Sequence, residues 1–278
     1  MTTMLTLKNI TVQRGQRRVL NNINCTIPEG KLVVLVGENG AGKSTLIHTM
    51  AGNLKFDGQL HFKARAINEW DDLSLAGYRA VMTQQNALNF QLGVPELIAM
   101  GRFPIAETQQ QKQQRVAEFI DHLALNPLAD RHTGQLSGGE LQRVNIARSF
   151  AQLDAFNPRH AQSKKDGSKL LLLDEPTSAL DLHFQHHLMQ LVKAFTKMGN
   201  TAIVAIHDLN LASLYADEVM LLSAGELVSY GPKNSVLTPD LLEPVYRTQM
   251  HIQSHPDLHI PMIFSQPKEN LNENASIN

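Results

Sequence analysis

Residues 136–140 read LSGGE, and they lie between GENGAGKST at residues 37–45 and LLLLDE at residues 170–175. The stretch at 37–45 fits the pattern G-x-x-x-x-G-K-S/T, in which glycines let backbone N–H groups curl around phosphate oxygens. It follows the apolar run LVVLV at 32–36 and precedes a predicted helix at 44–51. Strand, loop and helix in this order form the context in which the pattern binds a nucleotide. The sequence therefore predicts a nucleotide-binding α/β fold.

Apolar runs and periodicity extend this prediction along the chain. Two N-terminal segments, residues 4–12 and 17–27, alternate as β-strands do. Further strands are predicted at 80–83, 169–174, 201–206 and 218–223, with helical periodicity between several of them. Between residues 84 and 149 strand signals nearly vanish, and helices are predicted at 95–101, 107–123 and 138–152. We expect an α/β core that contains an inserted helical subdomain at about residues 86–150.

The composition limits the classes of protein to which the chain can belong. Of its 278 residues, 42% are hydrophobic and 18% are charged, which allows a sizeable core. A formal net charge of −1 gives no sign of a nucleic-acid partner. The one cysteine, Cys25, cannot form an internal disulfide, and no apolar run approaches the ~20 residues of a membrane-spanning helix. We therefore expect a soluble, cytoplasmic protein that does not bind nucleic acid.

The three motifs, in their order, resemble those of the ATP-binding subunits of ABC transporters, and the resemblance covers about residues 4–250. It implies a P-loop NTPase core (an ABC ATPase) with a β-rich N-terminal part and the inserted helical subdomain. Residues 1–250 are expected to form one ABC ATPase domain. Residues 251–278 are expected to form a C-terminal tail that is partly disordered, because the last dozen are polar.

The phosphate loop supplies the first set of predicted site residues. The lysine places a cation on the β- and γ-phosphate oxygens of ATP, and the serine after it supplies a hydroxyl ligand for Mg²⁺. The helix N-terminus adds its partial positive charge. The predicted ATP-binding residues of this loop are Gly37, Glu38, Asn39, Gly40, Ala41, Gly42, Lys43, Ser44 and Thr45.

Two acids end the leucine run at the carboxyl end of a predicted strand, where open α/β sheets bind ligands. Asp174 is predicted to hold Mg²⁺, directly or through a water. By the resemblance, Glu175 is the general base for the attacking water. His207 follows the strand at 201–206, and by the same resemblance it is expected to contact the γ-phosphate and to orient the water and Glu175.

Gln84 follows the predicted strand at 80–83. It matches the family's glutamine that senses the γ-phosphate, contributes to the Mg²⁺ site and leads into the helical subdomain. Gln85 is adjacent, so the register is open by one residue, and the surrounding pattern favours Gln84.

Ser137, Gly138 and Gly139 open a predicted helix, with Ser137 as a good N-cap. This is a second anion-binding helix end in a chain that already has one for its phosphates. The resemblance gives this second helix end a role. In the family, two subunits pair head to tail, and the LSGGE segment (the signature) of each subunit contacts the γ-phosphate bound by its partner. Ser137 and Gly139 are therefore predicted ATP contacts in a homodimer. Residues 178–181 (SALD) match the loop through which the two subunits communicate.

One position departs from the family pattern. The family usually stacks adenine on an aromatic residue in the first strand–turn segment, where this chain has Arg14. A guanidinium plane can also stack on a base. Arg14 is therefore a candidate adenine contact, and a plain turn residue is the open alternative.

The finer resemblance concerns the transported substrate. The run at 79–104 resembles the iron-siderophore, cobalamin and hemin branch of ABC importers, and residues 157–168 with LDLHFQHH at 180–187 look most like the hemin-import ATPases. The implied partners are two permease transmembrane subunits and, indirectly, a periplasmic substrate-binding protein, with the chain peripheral at the cytoplasmic face of the inner membrane. A ferric siderophore or cobalamin importer is the alternative. Soluble ABC-type ATPases that are not linked to transport, and small-molecule kinases, are rivals from other classes.

Overall fold

The computed structural model describes residues 2–83, 91–157 and 167–267. Its strands are β1 (Thr3–Arg14), β2 (Arg17–Pro28), β3 (Leu32–Gly37), β4 (Asp57–Phe62), β5 (Arg65–Ala66), β6 (Arg79–Met82), β7 (Leu170–Asp174), β8 (Thr201–Ala205), β9 (Glu218–Ser223), β10 (Glu226–Pro232), β11 (Gln249–Ser254) and β12 (Pro261–Gln266). Its α-helices are α1 (Lys43–Met50), α2 (Asp72–Tyr78), α3 (Val94–Gly101), α4 (Gln109–His122), α5 (Gly138–Gln152), α6 (Leu182–Lys197), α7 (Leu209–Tyr215), α8 (Lys233–Val236) and α9 (Pro239–Tyr246).

A six-stranded sheet in the order β10-β9-β3-β8-β7-β6 forms the centre of the described chain. Strands β3, β6, β7, β8 and β9 pair in parallel, and β10 is antiparallel to β9. A four-stranded antiparallel sheet, β2-β1-β4-β5, carries the N-terminal part. The predicted α/β class and the β-rich N-terminal part are confirmed.

The inner strands of the central sheet are buried on both faces. Along β3, Val34 and Val36 belong to one apolar cluster, while Val33 and Leu35 belong to the other. The first cluster includes helix residues such as Phe150, and the second includes side chains of β1 and β2. Burying one such side chain contributes about 1.5–3 kcal/mol relative to exposure. The first cluster thus holds helices such as α5 to one face, and the second holds α1 and the N-terminal sheet to the other.

Helices α3, α4 and α5 pack on one another, in the region where the helical subdomain is predicted. Arg102, directly after α3, is 2% exposed and lies at the centre of an ionic cluster. Its guanidinium makes a two-bond contact with Glu107 at 2.8 and 2.5 Å, and donates to Asp154 at 2.8 Å. Arg115 on α4 also donates to Asp154, at 3.0 Å. The cluster therefore joins the end of α3, the segment before α4 and the end of α5.

Part of the expected C-terminal tail is ordered as two strands. Strands β11 and β12 form an antiparallel hairpin, so the expected boundary at residue 250 falls inside β11 rather than at the end of the ordered part. The hairpin is fixed to α7, because Asn210 donates to the carbonyl of Ile263 at 3.0 Å and accepts from its N–H at 2.8 Å. Residues 268–278, the rest of the expected tail, lie outside the described residues.

Within residues 2–83, 91–157 and 167–267, no helix is long and apolar enough to cross a bilayer.

We expect Arg102→Met to lower the free energy of unfolding by about 3–5 kcal/mol, because it leaves the buried Glu107 carboxylate without its partner. The exposed pair of Arg65 and Glu69 is the matched control, and Arg65→Met should cost less than about 1 kcal/mol. Urea unfolding followed by circular dichroism measures both. Equal losses for the two variants would show that the buried cluster does not stabilise the helices.

Candidate functional site

The phosphate loop runs from the end of β3 to the start of α1. Gly37 is required there by a close approach, since a Cβ added to it would lie 2.1 Å from the carbonyl oxygen of Leu222 on β9. Lys43 opens α1, and its side chain folds back so that Nζ donates to the carbonyls of Gly37 at 2.8 Å and Glu38 at 3.0 Å. The loop is therefore closed around the lysine ammonium.

Lys43 is a buried cation, with 5% of the residue exposed. Burial lowers the pKa of its ammonium below the ordinary value, and the carboxylates of Glu175, Asp174 and Glu38 oppose that shift. An ammonium ion in such a position is stabilised further by any anionic group that enters the loop. This electrostatic arrangement suits a phosphate.

Ser44 and Asp174 meet across the loop and the end of β7. The Ser44 hydroxyl donates to Oδ1 of Asp174 at 3.1 Å. Asp174 is 1% exposed, and burial raises the pKa of its carboxyl, against the hydrogen bond from Ser44. A hydroxyl and a carboxylate held together are oxygen donors of the kind that Mg²⁺ takes beside phosphate oxygens. The two residues therefore fit the predicted metal role.

Glu175 and His207 form the second contact at this edge of the sheet. Nε2 of His207 lies 2.6 Å from Oε1 of Glu175. The Glu175 backbone has φ 50°, a left-handed conformation that a residue other than glycine rarely adopts. Its N–H donates to the carbonyl of Ala205, the last residue of β8, at 3.0 Å. The structure thus brings these two predicted residues together.

A cavity of about 350 Å³ lies over the phosphate loop. Its lining includes Arg14, Arg17 and Val19 from the N-terminal hairpin, Glu175, and the loop residues Asn39, Gly40, Gly42, Lys43, Ser44 and Thr45. Arg14 therefore lines this cavity, and its contact with adenine stays a prediction. Arg17 was missed by the sequence analysis, although its pairing with Arg14 across the β1–β2 turn could have indicated it.

The LSGGE segment begins α5 as predicted. The Ser137 hydroxyl accepts from the N–H of Glu140 at 3.3 Å, and the Glu140 carboxylate accepts from the N–H of Ser137 at 2.7 Å. A Cβ added to Gly139 would lie 2.5 Å from the carbonyl oxygen of Ala179, whereas one added to Gly138 would meet nothing within 4 Å. Gly139 thus packs on its own chain and Gly138 is open to solvent. Among the described residues, those of this segment do not line the cavity over the phosphate loop.

Gln84 and the adjacent Gln85 lie outside the described residues. Their predicted γ-phosphate and metal contacts stay predictions.

A parallel sheet, a phosphate loop at one strand end and an acidic pair at another define a P-loop nucleotide-binding protein. Comparison with known proteins narrows this class. The ABC transporter family matches residues 20–156. The hemin import ATP-binding protein of Idiomarina loihiensis is 42% identical over 254 residues, which are 91% of this chain and 95% of that protein. The corresponding protein of Enterobacter cloacae is 42% identical over 89% of this chain and 92% of its own length.

A solved structure agrees with the two curated relatives. A dimeric ATP-binding cassette in a post-hydrolysis state, bound to ADP and phosphate, is 29% identical with a TM-score of 0.69. The match covers 83% of this chain and 99% of that one. The chain belongs to the ATP-binding subunits of ABC transporters. The predicted family and the ABC ATPase fold are confirmed.

We expect Gly139→Ala to lower the free energy of unfolding by about 1–3 kcal/mol, because the added methyl group forces α5 away from Ala179. Gly138→Ala is the matched control and should cost nothing, since alanine is favoured over glycine in a helix. Denaturant unfolding of the separate variants measures both. An unchanged Gly139→Ala variant would contradict the close contact with Ala179.

Proposed function

We propose that this chain is the ATP-hydrolysing subunit that energises an ABC importer for hemin. The contact between Glu175 and His207, at the same sheet edge as Lys43 and the Ser44–Asp174 pair, carries the ATPase part of the proposal. The relatives named for hemin import carry the substrate part.

ATP binding is assigned to the loop at residues 37–45. When phosphates enter, Lys43 exchanges the carbonyls of Gly37 and Glu38 for phosphate oxygens, and the backbone N–H groups of the loop donate to the same anion. Gly37, Glu38 and Ala41 shape the loop, while the other loop residues line the cavity. Arg14, with Arg17 beside it, is assigned to the adenine or ribose side of the nucleotide.

Ser44 and Asp174 are the residues that would hold Mg²⁺, together with Gln84, which lies outside the described part. The cation neutralises charge on the phosphate oxygens when it is bound. The hydroxyl–carboxylate contact at 3.1 Å keeps both oxygens on one side of the loop. The protein therefore presents its oxygen ligands in position before nucleotide arrives.

Glu175 is assigned as the general base. Its carboxylate takes a proton from water, the water oxygen bonds to the γ-phosphorus, and the bond to the leaving ADP oxygen breaks. His207 holds the carboxylate through the 2.6 Å contact, and 45% of its side chain is exposed. Its contact with the γ-phosphate is assigned by resemblance. Gln84 is assigned as the sensor of that phosphate by resemblance.

We assign the active form to a homodimer with composite sites. Ser137 and the open backbone at Gly138 do not line the cavity over their own phosphate loop, so a phosphate at this helix end would belong to the nucleotide of another chain. The related cassette of known structure is dimeric. Head-to-tail pairing of two copies would give each phosphate loop one partner signature.

The permease is assigned to an exposed apolar surface beside the helical region. Leu73, Met100 and Phe103 are 60, 52 and 61% exposed. Leu73 borders a groove of about 460 Å³ that Tyr78, Pro104 and Ile105 also line. Large apolar side chains around a groove mark a protein-binding site. Two permease subunits would dock on the two copies of this surface in the dimer. The chain would then lie at the cytoplasmic face of the membrane. A periplasmic binding protein would act on it indirectly, through the permease.

We expect Glu175→Gln to bind ATP while its kcat for hydrolysis falls by about 10²–10⁴-fold, because the amide keeps the shape and removes the base. Lys43→Ala should instead lose ATP binding, which calorimetry measures. The exposed Glu69→Gln serves as the control for charge removal and should keep wild-type kcat. Hydrolysis at the wild-type rate by Glu175→Gln would refute the assignment of the base.

We expect deletion of the gene to abolish growth on hemin as sole iron source. A copy carrying Glu175→Gln should fail to restore growth, whereas Glu69→Gln should restore it. Normal growth on hemin with loss of ferric siderophore or cobalamin uptake would move the substrate assignment to that alternative. Normal uptake of all three would favour a soluble ABC-type ATPase that is not linked to transport.

A further inference from the structure

The signature helix α5 contacts the loop that follows β7 in the same chain at two points. Nε2 of Gln142 donates to the carbonyl oxygen of Glu175 at 2.8 Å. One turn earlier, Gly139 packs on Ala179, where a Cβ would come within 2.5 Å of the carbonyl oxygen. The two contacts lie at the two ends of the segment from Glu175 to Ala179. A shift of α5 therefore cannot occur without moving this segment or breaking the contacts.

The Glu175 backbone needs such support. Its φ of 50° belongs to a sparsely populated region for a residue with a Cβ, and such conformations persist only where surrounding contacts fix them. The Glu175 carbonyl accepts from the Ser178 hydroxyl at 3.0 Å as well as from Gln142. Ser178 belongs to the same loop, whereas Gln142 belongs to the signature helix. The Gln142 bond thus joins α5 directly to the backbone of Glu175.

The side chain of Glu175 is held by a different element of the fold. His207, at the end of β8, contacts the Glu175 carboxylate at 2.6 Å. If α5 moves the backbone while His207 retains the carboxylate, the direction in which the base faces a water changes. Small misplacements of a reacting group are costly, since a shift of about 1 Å can lower a rate by about 10²-fold.

We propose that Gln142 is a positioning residue through which the signature helix sets the geometry of Glu175 in the same chain. The proposal rests on the composite dimer proposed above. In that dimer α5 touches the nucleotide held by the partner, while Glu175 acts on the nucleotide held by its own phosphate loop. Nucleotide bound in one site then controls hydrolysis in the other through the bond from Gln142 to Glu175.

Coupling of this kind has a kinetic signature. Binding in the second site aligns the base of the first, so the rate of hydrolysis rises more steeply with ATP concentration than one independent site allows. The wild-type dimer is therefore expected to show a Hill coefficient above one. Loss of the Gln142 bond uncouples the sites without removing a group that touches ATP.

The test is Gln142→Met, which keeps the length of the side chain and removes the donor. We expect kcat to fall about tenfold, the factor that corresponds to one lost hydrogen bond, and the Hill coefficient to fall to one. The affinity for ATP, measured by calorimetry, is expected to stay at the wild-type value. Gln142→Ala removes the same donor without the thioether and should behave alike.

Gln185 on α6 provides the matched control. Its amide donates to the carbonyls of Thr177 at 3.2 Å and Leu180 at 3.0 Å. Gln185→Met therefore removes two hydrogen bonds to the same loop and leaves the contacts of Glu175 unchanged. This variant should retain wild-type kcat and the cooperative response. Thermal unfolding of all variants is measured in parallel.

Three outcomes would overturn the inference. The first is a wild-type dimer whose hydrolysis shows no cooperativity. The second is a Gln142→Met or Gln142→Ala variant with unchanged kcat and Hill coefficient. The third is an equal loss in the Gln142 and Gln185 variants that follows their melting temperatures. Failure of the proposed ATPase or of the proposed dimer is distinguishable, because the wild-type chain would then hydrolyse no ATP or would stay monomeric in its presence.

Discussion

The parallel pairing of β3 with β8, and of β8 with β7, is the constraint on which the site depends. Asp174 pairs with Ala205, and Leu35 pairs with Ala205 on the other side of the same strand. The carboxyl ends of three strands therefore meet at one edge, where open α/β sheets bind ligands. A shift of one residue in either pairing would turn the acidic pair away from the phosphate loop. The apolar side chains on both faces fix the register, so core packing and site geometry are one requirement.

A buried ammonium and a buried carboxyl lie close together at this edge of the sheet. A buried ammonium and a buried carboxyl are both penalised by loss of water, and the shifts of the Lys43 and Asp174 pKa values toward their neutral forms show that penalty. At Lys43, the loop carbonyls and the nearby carboxylates offset part of the free-energy cost of burying the ammonium. A nucleotide phosphate would add further negative charge beside the Lys43 ammonium. Burial of Lys43 thus lowers the stability of the free protein, and binding of a phosphate would recover part of that loss.

The sequence was a good guide wherever a local pattern determines the structure. The apolar run at 32–36 and the leucines before Asp174 predict buried strands because parallel strands are covered on both faces, and the structure confirms them. The hairpin of β11 and β12 was not predictable in this way. Few of its residues are apolar and buried, and it is held by hydrogen bonds in both directions with Asn210, which lies far from it in sequence. The position of Arg17, likewise, follows from a hairpin turn and from no motif.

The signature segment shows where motif reading stops and structure is needed. A motif treats Ser137, Gly138 and Gly139 as one anion-binding unit, yet their environments differ. Gly139 packs on Ala179 of its own chain, Ser137 caps its own helix, and Gly138 faces open space. Since Gly139 and Gln142 tie α5 to its own loop, the helix end cannot be carried to its own phosphate loop without breaking those contacts. The proposed head-to-tail pairing meets this constraint, because the phosphate then comes to the helix from the partner and the contacts within the chain stay intact.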